Sequence, residues 1–347
     1  MPELDFHRLE ALVHTIAPGT PLSYEPMPGG ASTRRYFRVA LPGNHSAVGM
    51  FVPEGGKAEE IAKDGHRRRW PFLEVHELLT ERGVDVPKVL AEDTASGWLL
   101  LEDLGDDTLA NYLLRQPSAR EALYARAVSD LAKAQRALAT LPPDSLVATR
   151  AFDEDLLRWE IDHFREWGLE ARGHHLSPAD RTLFDAIAGR LALRIAAWPR
   201  GFVHRDYQSR NLMVRPAETL CWIDFQDALL GPRIYDMVAL LNDSYQEFDR
   251  AFVETRLAEF AEHMGMAAKE RESLGVEFDY MTVQRKLKDA GRFVFIERKK
   301  SNASFLRFVT PTVRKVAEAL ERLAPTDPDM AQLRELLGRT LPNEVSV

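Results

Sequence analysis

Phe202-Val-His-Arg-Asp-Tyr-Gln-Ser-Arg-Asn-Leu-Met-Val214, followed by Cys221-Trp-Ile-Asp-Phe-Gln-Asp227, is the stretch whose reading decides the fold. Gly201-Phe-Val203 reads as a short strand entering a polar loop, and Leu212-Met-Val214 as a strand leaving it. Pro216-Ala-Glu-Thr219 supplies the turn, and Leu220-Cys-Trp-Ile223 forms a return strand with Asp224 at its exit. Paired as a hairpin, the last two strands bring Asn211 and Asp224 to the same end. Asp206 precedes Asn211 by five residues on one loop, and Asp224 follows Asn211 by thirteen. An ordinary surface hairpin also carries polar residues at its mouth, but not two ordered motifs at this spacing.

An Asp, an Asn and a second Asp in this order suit phosphoryl transfer, which asks a protein mainly to position reactants and offset charge. Asp206 is the candidate catalytic base, accepting a hydrogen bond from the attacking hydroxyl. Asn211 and Asp224 are the candidate metal ligands. Mg²⁺ prefers hard oxygens and takes only one or two carboxylates beside phosphate and water. The pattern His-x-Asp-x-x-x-x-Asn with a downstream Asp is that of kinase catalytic loops.

Four segments carry a narrower likeness: Gly30-Ala-Ser-Thr-Arg-Arg-Tyr-Phe-Arg38, Leu99-Leu-Leu-Glu-Asp-Leu-Gly105, His204-Arg-Asp-Tyr-Gln-Ser-Arg-Asn211 and Ile223-Asp-Phe-Gln-Asp-Ala-Leu-Leu-Gly-Pro-Arg-Ile-Tyr-Asp236. Together they resemble the aminoglycoside-phosphotransferase and choline-kinase superfamily. Within it they resemble the bacterial anomeric kinases of N-acetylmuramate and N-acetylglucosamine that serve peptidoglycan recycling. The likeness runs from about Gly29 to Asp243, with a fainter echo at Gln284 to Phe295. It implies an α+β, bilobal protein-kinase-like fold with a small β-rich N-terminal lobe and a larger, mostly helical C-terminal lobe. It also implies ATP and Mg²⁺ as cofactors, a small-molecule amino sugar as partner, and transfer to the anomeric hydroxyl to give an α-1-phosphate. By position it carries adenine contacts to the Glu102 carbonyl and the Leu104 N–H.

Composition agrees with that frame. At 347 residues the chain exceeds a typical single core, so two lobes are expected; we divide them as 1–105 and 106–347. The hydrophobic fraction of 45% is ordinary for a globular protein. The single cysteine, Cys221, sits in an apolar strand and reads as a core residue, which fits a reducing, cytoplasmic setting. No apolar run is long enough to span a bilayer, and a net charge of −8 argues against nucleic acid. No obligate protein partner is evident.

Along the first lobe, Phe6, Leu9, Leu12, Val13 and Ile16 recur at helical spacing. Strands are expected at Arg34–Ala40, Ala47–Val52, Val84–Leu90 and Trp98–Leu101, with a turn at Pro42–Asn44 and a helix over Trp70–Arg82 closed by Gly83. Beyond Gly105 the pattern turns helical: Ala119–Leu141 presents one Leu- and Ala-rich face, Ser177 and Asp180 open a helix toward Trp198, and Pro325 and Pro328 interrupt the last helices.

Pro28-Gly-Gly-Ala-Ser-Thr33 precedes the first long strand, and Gly30 and Ser32 are the candidate phosphate-covering turn. Kinases place a lysine on the strand matching Ala47–Val52, and this strand has Met50 instead. The missing cation must come from Arg34, Arg35, Arg38 or Lys57, and strand alternation puts only Arg34 and Arg38 on one face. Arg34 is the candidate phosphate ligand. His204 reads as a packed residue that holds the loop, and Asp236 as a helix-start carboxylate that braces the loop through backbone N–H groups. Gln208, Arg210 and Asp227 flank the chemistry as candidate sugar ligands. Arg292, or Arg285, is the candidate for a lactyl carboxylate, although a basic helix in solvent would also explain Gln284, Arg285, Lys288 and Arg292. Two alternatives stand beside the sugar kinase: a related kinase acting on an aminoglycoside, choline or amino alcohol, and a non-catalytic pseudokinase.

Overall fold

The computed structural model describes residues 4–28, 33–53 and 69–345. Its N-terminal part is a five-stranded antiparallel sheet in the order β1-β2-β3-β5-β4, formed by β1 (Tyr24–Pro26), β2 (Arg35–Leu41), β3 (His45–Phe51), β4 (Val89–Asp93) and β5 (Trp98–Glu102). Helix α1 (Phe6–Ile16) buries Leu9, Leu12 and Val13 against one face of the sheet, among Phe37, Trp98 and Leu100. Three side chains so buried contribute about 1.5–3 kcal/mol each, enough to dock a helix of eleven residues. Helix α2 (Pro71–Glu81) belongs to the main core with Met50, Leu99 and Leu101. Gly83 ends it at φ +73°, a conformation that side-chain-bearing residues resist.

One expectation is corrected here. The strand expected at Val84–Leu90 begins only at Val89, because Pro87 lacks the N–H a ladder needs and the pairing with β5 shifts register between Val89 and Ala91. Five strands suit such a lobe, and the fifth is the edge strand β1, whose place the sequence does not give: three residues ending in a proline carry too little pattern to read.

The C-terminal part is mostly helical: α3 (Leu109–Arg115), α4 (Arg120–Ala137), α5 (Leu146–Thr149), α6 (Glu154–His163), α7 (Pro178–Ala196), α8 (Tyr235–Leu241), α9 (Arg250–His263), α10 (Ala268–Lys300), α11 (Val309–Leu323), α12 (Pro328–Thr340) and α13 (Pro342–Val345). Ser177 caps α7 by accepting the Asp180 N–H, and Pro328 opens α12. Four short strands complete it: β6 (Arg200–Val203) pairs with β9 (Leu229–Pro232), and β7 (Leu212–Arg215) with β8 (Thr219–Trp222). The 33-residue α10 runs against α6, α8, α9 and α11. It approaches α6 so closely that a Cβ on Gly291 would lie 2.8 Å from the His163 carbonyl oxygen. No helix among the described residues is long and apolar enough to cross a membrane. Cys221 is buried in β8, its thiol pushed up to about 12 by burial.

Candidate active site

The β7–β8 hairpin does the first positioning. Leu212 pairs with Trp222, and the Ile223 N–H donates to the Asn211 carbonyl at 3.0 Å, so Asn211 and Asp224 leave the same end of the ladder. Asn211 Nδ2 donates to the Asp206 carbonyl at 2.8 Å. That bond fixes the amide and turns its Oδ1 away as an acceptor.

Arg205 and Asp224 both adopt left-handed backbone, at φ 81° and 63°, although neither is glycine. Such conformations cost about 1–3 kcal/mol each and persist only where neighbours hold them. At Arg205 the holding groups are clear. Its N–H donates to Asp236 Oδ1 at 3.0 Å, and its carbonyl accepts from Arg285 Nη1 at 2.8 Å. Its guanidinium lies 3.4 Å from the buried Glu160. Asp236 Oδ2 takes the His204 N–H at 2.7 Å, so one carboxylate secures two successive backbone donors. Burial pushes the Asp236 carboxyl up to about 7 against the pull of those donors.

His204 is fully buried, its Nδ1 3.3 Å from the Asp206 N–H and its ring edge-on to Tyr207 and Trp222. Burial lowers its imidazole to about 4, so it is neutral near pH 7 and unsuited to proton uptake there. Asp206 keeps 38% of its side chain exposed. Burial works to raise its carboxyl, but Lys288, Arg285 and Arg205 outweigh this and hold it below the ordinary value. It is ionised and able to accept a hydrogen bond.

The basic segment of α10 is not a solvated face. Gln284, Arg285 and Lys288 are all buried. Arg285 reaches Asp206 Oδ1 at 3.4 Å and lies over the Tyr235 ring, 4.6 Å from its centroid. Gln284 donates to Glu160 at 2.9 Å, and Lys286 and Lys288 pair with Asp289 at 2.9 and 3.3 Å. Arg285 is therefore committed to the loop that carries Asp206, which corrects its candidacy as a carboxylate ligand. Arg292 lies seven residues further, about 10 Å along the helix axis, with its guanidinium over Phe295. The structure does not bring it to Asp206.

Across the cleft, Arg34 Nη2 lies 3.1 Å from Asp224 Oδ1, and its Nη1 donates to Gln226 Oε1 at 2.8 Å. Gln226 Nε2 bridges Asp224 and Asp227 at 3.1 and 2.9 Å. Recession into the cleft, the nearby Asp206 and the nearby Asp227 raise the Asp224 carboxyl, and Arg34 opposes them. Asp224, Asp227 and Arg34 thus form one group. Gln208 is half-buried, its N–H donating to the Asp206 carbonyl at 2.9 Å, and Arg210 is exposed, its guanidinium 3.5 Å from the centroid of Tyr245. Arg38 pairs instead with Asp103 and Asp106, at 2.7 and 2.9 Å. At the joint between the lobes, the Glu102 side chain binds Arg215 at 3.0 Å and accepts the Lys88 N–H, and Leu104 is half-buried. Gly30, Ser32 and Lys57 lie outside the described residues.

Sequence reading missed Glu160, Gln226, Asp243 and Asp289. Asp243 accepts both the N–H and the hydroxyl of Ser209, the N–H at 2.9 Å. Glu160 had a visible signal: with Leu157, Ile161 and Phe164 it occupies the buried stripe of α6, where a carboxylate needs a partner.

The donor set fits a hard divalent cation shared with phosphate. Asn211 presents an amide oxygen and Asp224 a carboxylate at one strand end. Among the described residues no group of three or more His, Cys, Asp or Glu could hold a metal ion unaided, so any such ion needs ligands from elsewhere.

The model of the phosphotransferase enzyme family matches residues 23–272, a span that ends before Arg285. An N-acetylmuramate/N-acetylglucosamine kinase of Neisseria meningitidis is 30% identical over 343 residues, covering 95% of this chain and 96% of its own. A choline kinase from Streptococcus pneumoniae superposes with a TM-score of 0.59 at 16% identity, over 90% of this chain and 99% of its own. An ADP-bound aminoglycoside phosphotransferase does so with a TM-score of 0.58 at 15% identity, over 91% and 99%.

Proposed function

This chain belongs to the phosphotransferase enzyme family, and from that membership we propose that it moves the γ-phosphoryl group of ATP to the anomeric hydroxyl of N-acetylmuramate and N-acetylglucosamine. The observation that carries the reading is the convergence of Asp206, Asn211 and Asp224 at one end of the β7–β8 hairpin, facing Arg34 across the cleft.

In this reading residues 1–105 hold the nucleotide and 106–347 supply catalysis and the acceptor site. The Glu102 carbonyl and Leu104 N–H meet adenine at the joint. Asn211 and Asp224 hold Mg²⁺, which when bound shields the charge of the phosphates. Asp206 accepts the proton of the acceptor hydroxyl as its oxygen bonds to phosphorus and the bridging oxygen leaves with ADP. Lys288 and Arg285 hold its carboxyl below the ordinary value against the effect of burial, so it is ionised before the acceptor arrives. Gln208, Arg210 and Asp227 offer directional donors and acceptors to a pyranose, and Arg292 reaches the outer end of the acceptor. Asp236 and His204 keep the loop in place. The cations that α10 turns toward Asp206 favour a neutral or anionic acceptor and disfavour choline or an aminoglycoside.

An ATP-consumption panel over free acetylated amino sugars, choline and aminoglycosides, with product read by NMR, tests this. Turnover with the sugars and phosphate on C1 is expected. Turnover with the amines alone, or phosphate on another carbon, overturns the assignment.

A further inference from the structure

Kinases ordinarily anchor the α- and β-phosphates with a strand lysine that is paired to a glutamate on the following helix. Here the strand position is apolar, and two glutamates of the next described helix are paired elsewhere. Met50 is 1% exposed and packed in the core, between Tyr36 of β2 and Leu99 of β5. On α2, Glu74 Oε1 accepts the Leu146 N–H at 2.8 Å, and Glu77 pairs with Arg69.

The ladder places one arginine beside that position. Tyr36 lies directly opposite Met50, and Arg35 opposite Phe51. Arg34, two residues before Tyr36, shares the face of Tyr36 and Met50, and its Nη1 lies 3.4 Å from the Tyr36 hydroxyl. It is thus the diagonal neighbour of Met50, a backbone separation of about 7–8 Å, which a long side chain can span. The other arginine on that face, Arg38, is turned to Asp103 and Asp106. Arg34 points into the cleft, with 15% of its side chain exposed, held by Asp224 and Gln226 from the opposite lobe.

We propose that Arg34 performs the task of the absent strand lysine, anchoring the α- and β-phosphates from one strand over while remaining in contact with Asp224. The assignment rests on the nucleotide reading above. A planar guanidinium with several fixed donors can face a carboxylate on one edge and a phosphate on another, which a single ammonium does less well. The arrangement makes the phosphate grip of one lobe and the metal carboxylate of the other share one side chain.

Calorimetric titration of adenosine, ADP and a non-hydrolysable ATP analogue into wild type, Arg34→Met and Arg34→Lys tests it. Arg34→Met should weaken ADP and the analogue on the order of 10–100-fold, the range for losing a hydrogen bond between charged groups. Adenosine should bind as in wild type, and Arg34→Lys should recover part of the loss. Unchanged ADP affinity in Arg34→Met overturns the proposal. So does an equal loss for adenosine, which would make Arg34 a strut of the cleft. If the Met variant does not fold, Arg34→Gln gives the same comparison. Wild-type protein that binds none of the three ligands sinks the nucleotide reading itself, and the role of Arg34 falls with it.

Discussion

Asp236→Asn changes one atom, and its cost follows from two bonds. In the native loop Asp236 Oδ2 takes the His204 N–H at 2.7 Å and Oδ1 takes the Arg205 N–H at 3.0 Å, with no exposure of the side chain. Above pH ~7 the carboxylate is ionised, and both oxygens accept. An asparagine offers one acceptor, so one backbone N–H would face an NH₂ group. A buried donor left unsatisfied costs about 1–3 kcal/mol. The neutral amide avoids burying an ion, which places the net loss toward the lower end. A loss of ~1 kcal/mol lowers the melting temperature by about 2–4 °C in domains of 150–250 residues, and by somewhat less in a longer chain. The kinetic effect should be larger than the thermal one. Arg205 is at φ 81° partly because Asp236 holds its N–H, and Asp206 is the next residue. A misplacement of about 1 Å at a reacting group can cost about 10²-fold in rate. Melting curves and kcat at saturating substrate, both at pH 8, measure the two effects. A variant with wild-type melting temperature and wild-type kcat would refute the bracing argument. Asp236→Ala, which satisfies neither donor, should be worse on both counts.

Asp206→Asn should lower kcat by about 10²–10⁴ while ADP still raises the melting temperature; retained turnover would remove Asp206 as the base. Asp224→Asn should erase the difference between ADP binding measured with and without Mg²⁺, and a full Mg²⁺ effect on ADP affinity would exclude it as a ligand. His204 is neutral in the folded protein down to about pH 4 but titrates near 6.5 when unfolded. Its folded value is depressed, so the stability it contributes is present above pH ~6.5 and is lost as pH falls toward 4, in total about 3 kcal/mol. Urea unfolding across pH 4–7 should therefore show a steeper acid loss in wild type than in His204→Gln; parallel curves would disprove the burial argument.

The fold and the shared hairpin end of Asn211 and Asp224 were legible because they depend on local order. Alternating strands, a proline turn and fixed spacing place Asn211 and Asp224 at one end of a hairpin without knowledge of the rest of the chain. The cations around Asp206 were not legible in the same way. Arg285 and Lys288 look like a solvated helix face until Phe278, Met281, Leu287 and Val294 are seen to surround α10 with core on several sides. Asp289 follows Arg285 at the i,i+4 spacing of one helix face, but Glu160, which meets Arg205 and Gln284 from a distant helix, is tied to them by no spacing rule. Arg34 lay between these cases. Alternation gave its face correctly, but only the cross-lobe contact with Asp224 showed what it points at.

The helix that sets positive charge beside Asp206 lies far downstream of it: Arg285 comes 79 residues later. During synthesis the hairpin and its loop leave the ribosome well before α10 does, and the Arg205 carbonyl must wait for its guanidinium. A polypeptide halted ahead of Ala268 would carry Asp206, Asn211 and Asp224 and still lack Arg285 and Lys288, which hold the Asp206 carboxyl below its ordinary value. The last quarter of the chain thus completes the surroundings of a loop that the earlier residues cannot finish alone.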